Sequence, residues 1–318
     1  MSIRAFSDVS DQSELSKLSK TYGISDLNNK AMNLINSINS INLINSTNSI
    51  YINLIQSNST YINLIQKENM ATKIKDQNTR IGIFNEIVKA RRSVRVYDQE
   101  ASFDPDVVQR NLETATLAPN SSNLQLWEFY RVRDEERRKE LARYCLDQSA
   151  AKTARELVVF VTRPDKWKER ARFNKEKMKE NLGDKEHVKK KINDYYGKIV
   201  PFMYRNDRFG LLGLLRKIIV FFVGMRRPIP REVGLTDTRI VTHKTTALAA
   251  QTFMLGIKAE GYDTCPMEGF DSKRVKKMLK LPHKAEVNMV VAVGSAADNG
   301  IYGPRIRVAN DEVIHQNV

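Results

Sequence analysis

The segment LVVFVTR, residues 157–163, indicates the fold most clearly. A short apolar run rich in β-branched valine is typical of a strand buried on both faces. The segment VNMVVAVGS (287–295) predicts a second core strand, and WEFYRVR (127–133) predicts a third.

Helical patterns surround these strands. Ile83, Phe84, Ile87 and Val88 recur at helical spacing and predict a helix that ends near Arg91. Capping residues, apolar periodicity and terminal glycine or proline predict four more helices, over 104–117, 134–146, 239–261 and 271–281. Because helices and strands mix without a strict β-α-β rhythm, the predicted fold class is α+β.

The bulk composition narrows the class of protein. The chain has 318 residues, and 41% hydrophobic with 28% charged content is typical of a soluble globular protein. Cys145 and Cys265 lie far apart, so neither a disulfide framework nor a cysteine zinc site is expected, and no metal site is predicted. A reducing compartment fits two isolated cysteines, and the first residues lack an apolar signal region. We therefore expect a cytoplasmic protein.

Residues 1–69 are expected to lie outside the fold. Residues 31–66 consist almost wholly of Asn, Ile, Leu, Ser and Tyr, and YINLIQ occurs at both 51–56 and 61–66. Asn-rich segments with little charge are usually disordered. Alternatively, the segment is AT-rich repeat DNA read as protein, and Met70 is the true initiator. The predicted folded domain is therefore 70–318.

A basic, largely helical insertion is predicted at about 164–235. Residues 163–235 contain 20 Lys and Arg but only 9 Asp and Glu, which accounts for most of the chain's net charge of +15. No zinc-finger, RNP or basic-zipper pattern accompanies this charge, so a solvated basic face is preferred over nucleic-acid binding.

Four short segments carry the candidate chemistry. They are ARRSVRVYD (90–98), APNSSNLQLWEF (118–129), CPMEGFD (265–271) and YGPRIRV (302–308). The first gathers three arginines and a serine where a helix ends, which fits either a solvated helix end or an anion site for a phosphate. The second is a polar loop that joins a helix to a strand, and the third predicts a rigid loop that bears Glu268. In the fourth, Arg305 and Arg307 alternate, so both point the same way on an extended chain. Dinucleotide, P-loop, metalloprotease and serine-hydrolase motifs are absent.

The order and spacing of these segments resemble the FMN-dependent nitroreductase family over roughly 80–318, interrupted by 164–235. Leu126 stands where many members have proline, and Met267 stands where Ile is common. The resemblance implies a three-layer sandwich with a central mixed or antiparallel sheet flanked by helices. It also implies a homodimer with FMN at the subunit interface, so that each site takes residues from both chains.

The resemblance also assigns roles to individual residues. Those matching the FMN phosphate and ribityl contacts are Arg91, Arg92, Ser93, Arg95, Arg305 and Arg307. Asn123 matches an asparagine at the flavin ring edge, and Gln125 belongs to the same loop. Pro266, Glu268 and Gly269 match the loop beside flavin N5. No side chain is required as a nucleophile, because the flavin carries the hydride.

The implied activity is ping-pong electron transfer from NADH or NADPH, through FMN, to a nitroaromatic, quinone or similar acceptor. One alternative is another enzyme of the superfamily: a reductive dehalogenase, a flavin-fragmenting enzyme or an azoline oxidase. The other is a binding protein that uses the basic insertion to hold nucleic acid or a membrane surface.

The apolar stretch LLGLLRKIIVFFVG (211–224) lies inside the insertion, and three interpretations of it are open. It could be a lid over the active site, additional dimer interface or an amphipathic membrane-surface helix. Burial against protein would stabilise each large apolar side chain by roughly 1.5–3 kcal/mol. The preferred interpretation is therefore lid plus dimer contact, with membrane contact not favoured. It predicts that Leu211, Leu212, Leu215, Ile218, Ile219 and Phe222 are buried.

Overall fold

The computed structural model describes residues 77–182, 185–207 and 211–316, and residues from Thr79 onward belong to one compact unit. The segment 1–69, predicted to lie outside the fold, falls outside the described residues. The helices in the described part are α1 (77–90), α2 (Asp106–Ala115), α3 (Glu135–Tyr144), α4 (Ser149–Thr153), α5 (Trp167–Leu182), α6 (Glu186–Asp194), α7 (Val200–Tyr204), α8 (Leu211–Gly224), α9 (Leu235–Ala259) and α10 (Ser272–Met278).

The strands form one four-stranded antiparallel sheet. Their bounds are β1 (Trp127–Val132), β2 (Glu156–Thr162), β3 (Asp263–Met267) and β4 (Glu286–Gly294), in the spatial order β1-β2-β4-β3. The three strands predicted from apolar runs are confirmed to within one residue at either end. β3 corrects the prediction that CPMEGFD is wholly a loop. Pro266 is tolerated in β3 because that strand lies at the edge of the sheet, where a missing N–H is least costly.

Helices cover both faces of the sheet, which confirms the predicted three-layer arrangement. Successive residues of β2 alternate between two apolar clusters: Leu157, Val159 and Val161 pack with α3, α4 and α10, whereas Val158 and Phe160 pack with α2 and α9. On β4 this alternation shifts at Asn288. Because Phe160 pairs with Met289 and Val161 pairs with Val287, Asn288 is an extra residue in the ladder.

The long helix α9 is closed as its sequence predicts. Gly261 adopts a left-handed φ of 87°, and the amide of Tyr262 donates to the carbonyl of Ile257 at 3.1 Å. The amide of Gly261 donates to the carbonyl of Lys258. This pair of bonds is the Schellman arrangement, which satisfies carbonyls that the helix end would otherwise leave free. The chain then turns directly into β3.

The insertion between β2 and α9 is helical, and part of it packs on the domain. Leu124 and Leu126, which precede β1, form a third apolar cluster with insertion residues. The insertion contributes Ala171, Ile192, Tyr196, Val200 and Tyr204 to this cluster.

Within the single chain, helix α8 does not make the lid contact that was predicted for it, and its predicted dimer contact stays a prediction. Leu211, Leu215, Ile218, Ile219 and Phe222 are exposed on the single chain, and Leu212 is half-buried. The buried residues of α8 are Gly213, Arg216 and Val220. In the described ranges, no helix combines the length and the apolar character needed to cross a membrane.

Candidate functional site

A concavity lined by arginines lies where α1 ends. Residues 91–98 run beside the edge strand β3: Ser93 forms a parallel bridge with Thr264, and the amide of Val94 donates to the carbonyl of Thr264 at 3.1 Å. On the other side, the amide of Arg95 donates to the carbonyl of Gly300 at 2.7 Å. The segment ARRSVR is therefore fixed between the sheet and the start of the C-terminal tail.

Gly300 is required for this arrangement. A Cβ atom at position 300 would lie 2.6 Å from the carbonyl oxygen of Val96 and 2.9 Å from that of Ala297. Both contacts are with main-chain atoms, which cannot move away cheaply. The close turn at Gly300 brings the following tail residues opposite Arg91–Arg95.

All six residues predicted to hold the phosphate and ribityl chain meet in this concavity, whose volume is about 380 Å³. They are Arg91, Arg92, Ser93, Arg95, Arg305 and Arg307. Residues 301–304 and Ile306 complete the lining, which contains no acidic residue. The structure therefore brings together, from two ends of the domain, the arginines of two separate sequence motifs.

Main-chain and ring contacts hold several of these arginines. Arg92 donates to the carbonyl of Gly303 at 2.5 Å, and Arg305 donates to the carbonyls of Lys89 and Arg91 at 3.0 and 2.6 Å. The Arg95 guanidinium lies over the ring of Tyr302 at 5.3 Å from its centroid. Arg307 donates to the carbonyl of the adjacent Ile306.

The positive charge of the cluster is not neutralised within the described chain. None of the five arginines is paired with a carboxylate in the described ranges. Burial lowers the pKa of Arg91 from its ordinary value, and the charges of Arg305, Arg307 and Arg92 lower it further. Five guanidinium groups without a carboxylate repel one another, so a bound anion would relieve this repulsion.

The polar loop before β1 is strained and lies apart from the concavity. Ser122, Asn123 and Gln125 have left-handed φ angles of 55°, 50° and 48°, which cost energy for residues other than glycine. The carbonyl of Asn123 accepts a hydrogen bond from Asn174 at 2.5 Å. Neither Asn123 nor Gln125 is among the described residues that line the arginine concavity.

Three tyrosines of the insertion also hold this loop. Tyr196 donates to the carbonyl of Ser122 at 3.1 Å, and the hydroxyls of Tyr204 and Tyr195 bond those of Ser121 and Ser122 at 3.2 and 2.9 Å. The insertion therefore fixes a loop that the sequence assigned to flavin binding. Its α5–α7 part covers that loop, whereas α8 extends an exposed face.

The third predicted group lies where β3 ends. Pro266 is in the strand, and Glu268 and Gly269 follow it. Gln148, which the sequence analysis missed, donates to the carbonyl of Gly269 at 2.8 Å. It follows two more left-handed residues, Leu146 and Asp147. No strong sequence motif marks Gln148, and only the fold shows that the turn after α3 contacts the β3 loop.

The long helix α9 holds one polar cluster away from these groups. His243 Nε2 lies 3.0 Å from a carboxylate oxygen of Glu286, which also accepts from Arg239 at 2.5 Å. The Asn288 side chain contacts His243 Nδ1 at 3.0 Å. His243 thus joins α9 to β4, which is a structural role.

A family model described as the nitroreductase family matches residues 88–295, which is more than half of the chain. The chain belongs to the nitroreductase family. Membership confirms the predicted family and an oxidoreductase activity, and the architecture confirms the α+β class. It also agrees with the predicted use of FMN and NAD(P)H.

Relatives and solved structures agree with this membership. The chain is 26% identical to protein DrgA of Synechocystis over 210 residues, covering 66% of this chain and 82% of DrgA. It is also 26% identical to YdgI of Bacillus subtilis, assigned as an NAD(P)H nitroreductase, over 71% of this chain and 94% of YdgI. A Staphylococcus epidermidis structure assigned as an NAD(P)H:FMN oxidoreductase superposes with a TM-score of 0.57 at 21% identity, covering 73% of this chain and 95% of that one. The chain therefore shares the fold of this structure.

Proposed function

We propose that this member of the nitroreductase family binds FMN through its arginine concavity and transfers electrons from NADH or NADPH to nitroaromatic, quinone or similar acceptors. The observation that carries the proposal is the set of five arginines that line one concavity of about 380 Å³. None of them is paired with a carboxylate in the described chain. When bound, FMN would supply the redox chemistry in a ping-pong cycle, as its role in the family implies.

The arginine concavity fits the terminal phosphate of FMN. A phosphate monoester carries almost two negative charges, and guanidinium groups bind it through charge-assisted, often bidentate hydrogen bonds. Besides burial, the nearby charges of Arg305 and Arg307 lower the pKa of Arg91, so the three guanidinium groups lie close together. These arginines, with Arg92, Arg95 and the Ser93 hydroxyl, would hold the phosphate and the ribityl chain.

The remaining predicted residues would position the flavin ring. We assign Glu268 and Gly269 to the loop beside the reacting edge, where Pro266 in β3 restricts the backbone that leads into it. Gln148 would keep this loop in place through its hydrogen bond to the Gly269 carbonyl. The amides of Asn123 and Gln125 can both donate and accept hydrogen bonds at the polar edge of the ring.

A homodimer would complete each site. Helix α1 exposes Ile81, Ile83, Phe84 and Val88, and the tail 301–316 is exposed throughout. Exposed apolar surface of this extent is typical of a protein interface. Since Asn123 and Gln125 are outside the arginine concavity of their own chain, we assign them to the site of the partner subunit.

The proposed cofactor is tested on the purified protein. We expect a yellow protein that releases FMN, rather than FAD, on denaturation. A colourless protein that cannot be reconstituted, or recovery of FAD alone, would refute the assignment.

The proposed electron acceptor is tested by following the oxidation of NADH and NADPH with nitroaromatic, quinone, halogenated and azoline substrates. Turnover of only the last two classes would favour another enzyme of the superfamily.

The proposed dimer is tested by placing a charge on α1. Phe84→Asp should shift the protein to the monomer in sedimentation velocity and reduce FMN retention, since a desolvated carboxylate opposes association. Phe173→Asp, at another exposed phenylalanine, is the matched control and should leave the dimer intact. A dimer that survives Phe84→Asp would exclude this face of α1 from the interface.

A further inference from the structure

Helix α8 exposes its broader apolar face. Seven large apolar side chains between positions 211 and 222 are each between 40% and 65% exposed: Leu211, Leu214, Leu215, Ile218, Ile219, Phe221 and Phe222. At 100° per residue they occupy one continuous side of the helix, and Met225 extends that side beyond its last turn. This arrangement reverses that of an ordinary surface helix, whose apolar stripe faces the core.

Helix α8 is nevertheless firmly attached to the insertion. Arg216 is 3% exposed and donates to the carbonyls of Phe202, Met203 and Arg205 at 2.7, 3.0 and 3.1 Å. It also donates to the Asn206 side chain at 2.6 Å. These carbonyls belong to the end of α7, where a helix leaves such groups without partners.

A second anchor holds the beginning of α8. The Asp207 carboxylate accepts hydrogen bonds from the amides of Leu211 and Leu212 at 3.0 and 2.8 Å. These bonds satisfy free amides of the first turn. Because polar contacts secure α8 at its inner side and its start, the exposed apolar face is held in a defined position.

Cations border the apolar face. Residues 205–235 contain seven Lys and Arg but two Asp and Glu. Arg226 and Arg227 follow α8 directly and are exposed, as is Lys217 within the helix. An apolar side flanked by arginine is the arrangement by which interfacial helices bind anionic lipid.

We propose that α8 docks this protein on the surface of an anionic lipid bilayer, with the helix lying in the plane of the interface. Fourteen residues at 1.5 Å per residue give about 21 Å, shorter than the ~30 Å hydrocarbon core, so the helix lies on the membrane rather than across it. Leu214, Ile218 and Phe222 enter the acyl boundary, and Arg226 and Arg227 contact lipid phosphates. This inference replaces the sequence-based preference for burial of α8 against protein and does not depend on the proposed electron acceptor.

The test is co-sedimentation of the full chain with lipid vesicles. Vesicles of phosphatidylcholine alone are compared with vesicles that also contain phosphatidylglycerol, at physiological and high salt. We expect binding to the anionic vesicles that weakens as salt rises. Ile218→Gln/Phe222→Gln should reduce binding at least about tenfold, because two apolar side chains that the lipid would bury are lost. Arg226→Glu/Arg227→Glu should reduce it by about fivefold or more per residue.

Matched controls separate these effects from general charge or apolar surface. Phe173→Gln removes an exposed aromatic side chain from α5, and Lys190→Glu/Lys191→Glu makes the same charge change on α6. Both controls should bind like the unaltered protein. The proposal is overturned if vesicles do not bind, if neutral and anionic vesicles bind equally, or if the α8 variants bind normally. It is also overturned if Ile218→Gln/Phe222→Gln lowers the oligomer mass while vesicle binding is absent, because a second copy of the chain then covers α8.

Discussion

The guanidinium of Arg305 donates a 2.6 Å hydrogen bond to the main-chain oxygen of Arg91. The same nitrogen contacts the carbonyl of Lys89 at 3.0 Å, so Arg305 binds the end of α1. A residue in the C-terminal tail thus caps a helix near the other end of the domain. The contact joins the two arginine motifs that form the proposed phosphate site.

Replacing Arg307 by Ala is expected to weaken FMN binding by about ten- to a hundredfold, which corresponds to one charged hydrogen bond. The Arg307 guanidinium contacts only the adjacent Ile306 carbonyl in the described chain, so its loss should leave the fold intact. Arg305→Ala should weaken FMN binding further and also expose the tail to protease. Fluorescence titration of the apoprotein with FMN measures the loss of affinity in each variant, and limited proteolysis measures the exposure of the tail. Arg137→Ala, at an exposed position on α3, is the control, and unchanged affinity in both variants would contradict the site.

Replacing Arg216 by Ala is expected to destabilise the insertion by about 2–4 kcal/mol, because the carbonyls at the end of α7 lose a buried charged donor. Burial lowers the pKa of Arg216 from its ordinary value, with a small opposing effect from Asp207. Limited proteolysis should cleave the chain near residues 205–210 faster than in the unaltered protein. Lys217→Ala, at the neighbouring exposed position, should change neither cleavage nor the denaturation midpoint.

The contribution of Glu286 to stability should depend on pH. Burial opposes ionisation of this carboxyl, but hydrogen bonds from His243 and Arg239 outweigh burial and lower its pKa from 4.5. A lowered pKa in the folded state gives stability that is present above pH 4.5 and is lost as the pH falls through the folded-state value. At pH 7, Glu286→Gln should therefore lower the free energy of unfolding by roughly 1–2 kcal/mol.

Urea denaturation across pH 3–7 measures this dependence. The difference between Glu286→Gln and the unaltered protein should shrink as the pH falls below 4.5. Glu100→Gln, at an exposed carboxylate, serves as the control for a general change in charge. A difference that remains constant over the whole range would show that the Glu286 charge contributes nothing.

A chain that begins at Met70 should keep its FMN content, oligomeric state and turnover. Residues 1–69 carry none of the four motifs and contain five basic and five acidic residues. The compact unit that contains the arginine concavity begins at Thr79. Flavin release, sedimentation velocity and NAD(P)H oxidation measure the outcome. Loss of flavin or dissociation to a monomer would place part of 1–69 within the functional fold.

The sequence predicted those elements whose residues carry the signal themselves. The valine-rich run in β2 and the terminal glycine of α9 determine their own structure, so their approximate bounds could be predicted. β3 was missed because Pro266 and its polar neighbours suggest a loop, and only the strand order shows that they occupy a sheet edge. The extra residue Asn288 depends on pairing with β2, which no local pattern contains.

The arginine motifs could be predicted to share one ligand because a phosphate needs several cations, and both lie in the same concavity. Gln148 could not be found, because its contact with Gly269 joins residues 121 positions apart. The surface that covers helix α8 could not be predicted, for a physical reason. Apolar periodicity measures how hydrophobic a face is, but it does not identify the surface that covers it.

The hydrogen bonds that fasten the insertion to Ser121, Ser122 and Asn123 make the insertion and this loop thermodynamically linked. Any ligand that prefers one arrangement of the insertion must change the equilibrium between arrangements of the loop, and a ligand of the loop acts on the insertion by the same factor. A membrane bound at α8 and a flavin bound at Asn123 would then be mutual effectors. Lipid would alter flavin affinity, and flavin loading would set how long the protein stays on the lipid.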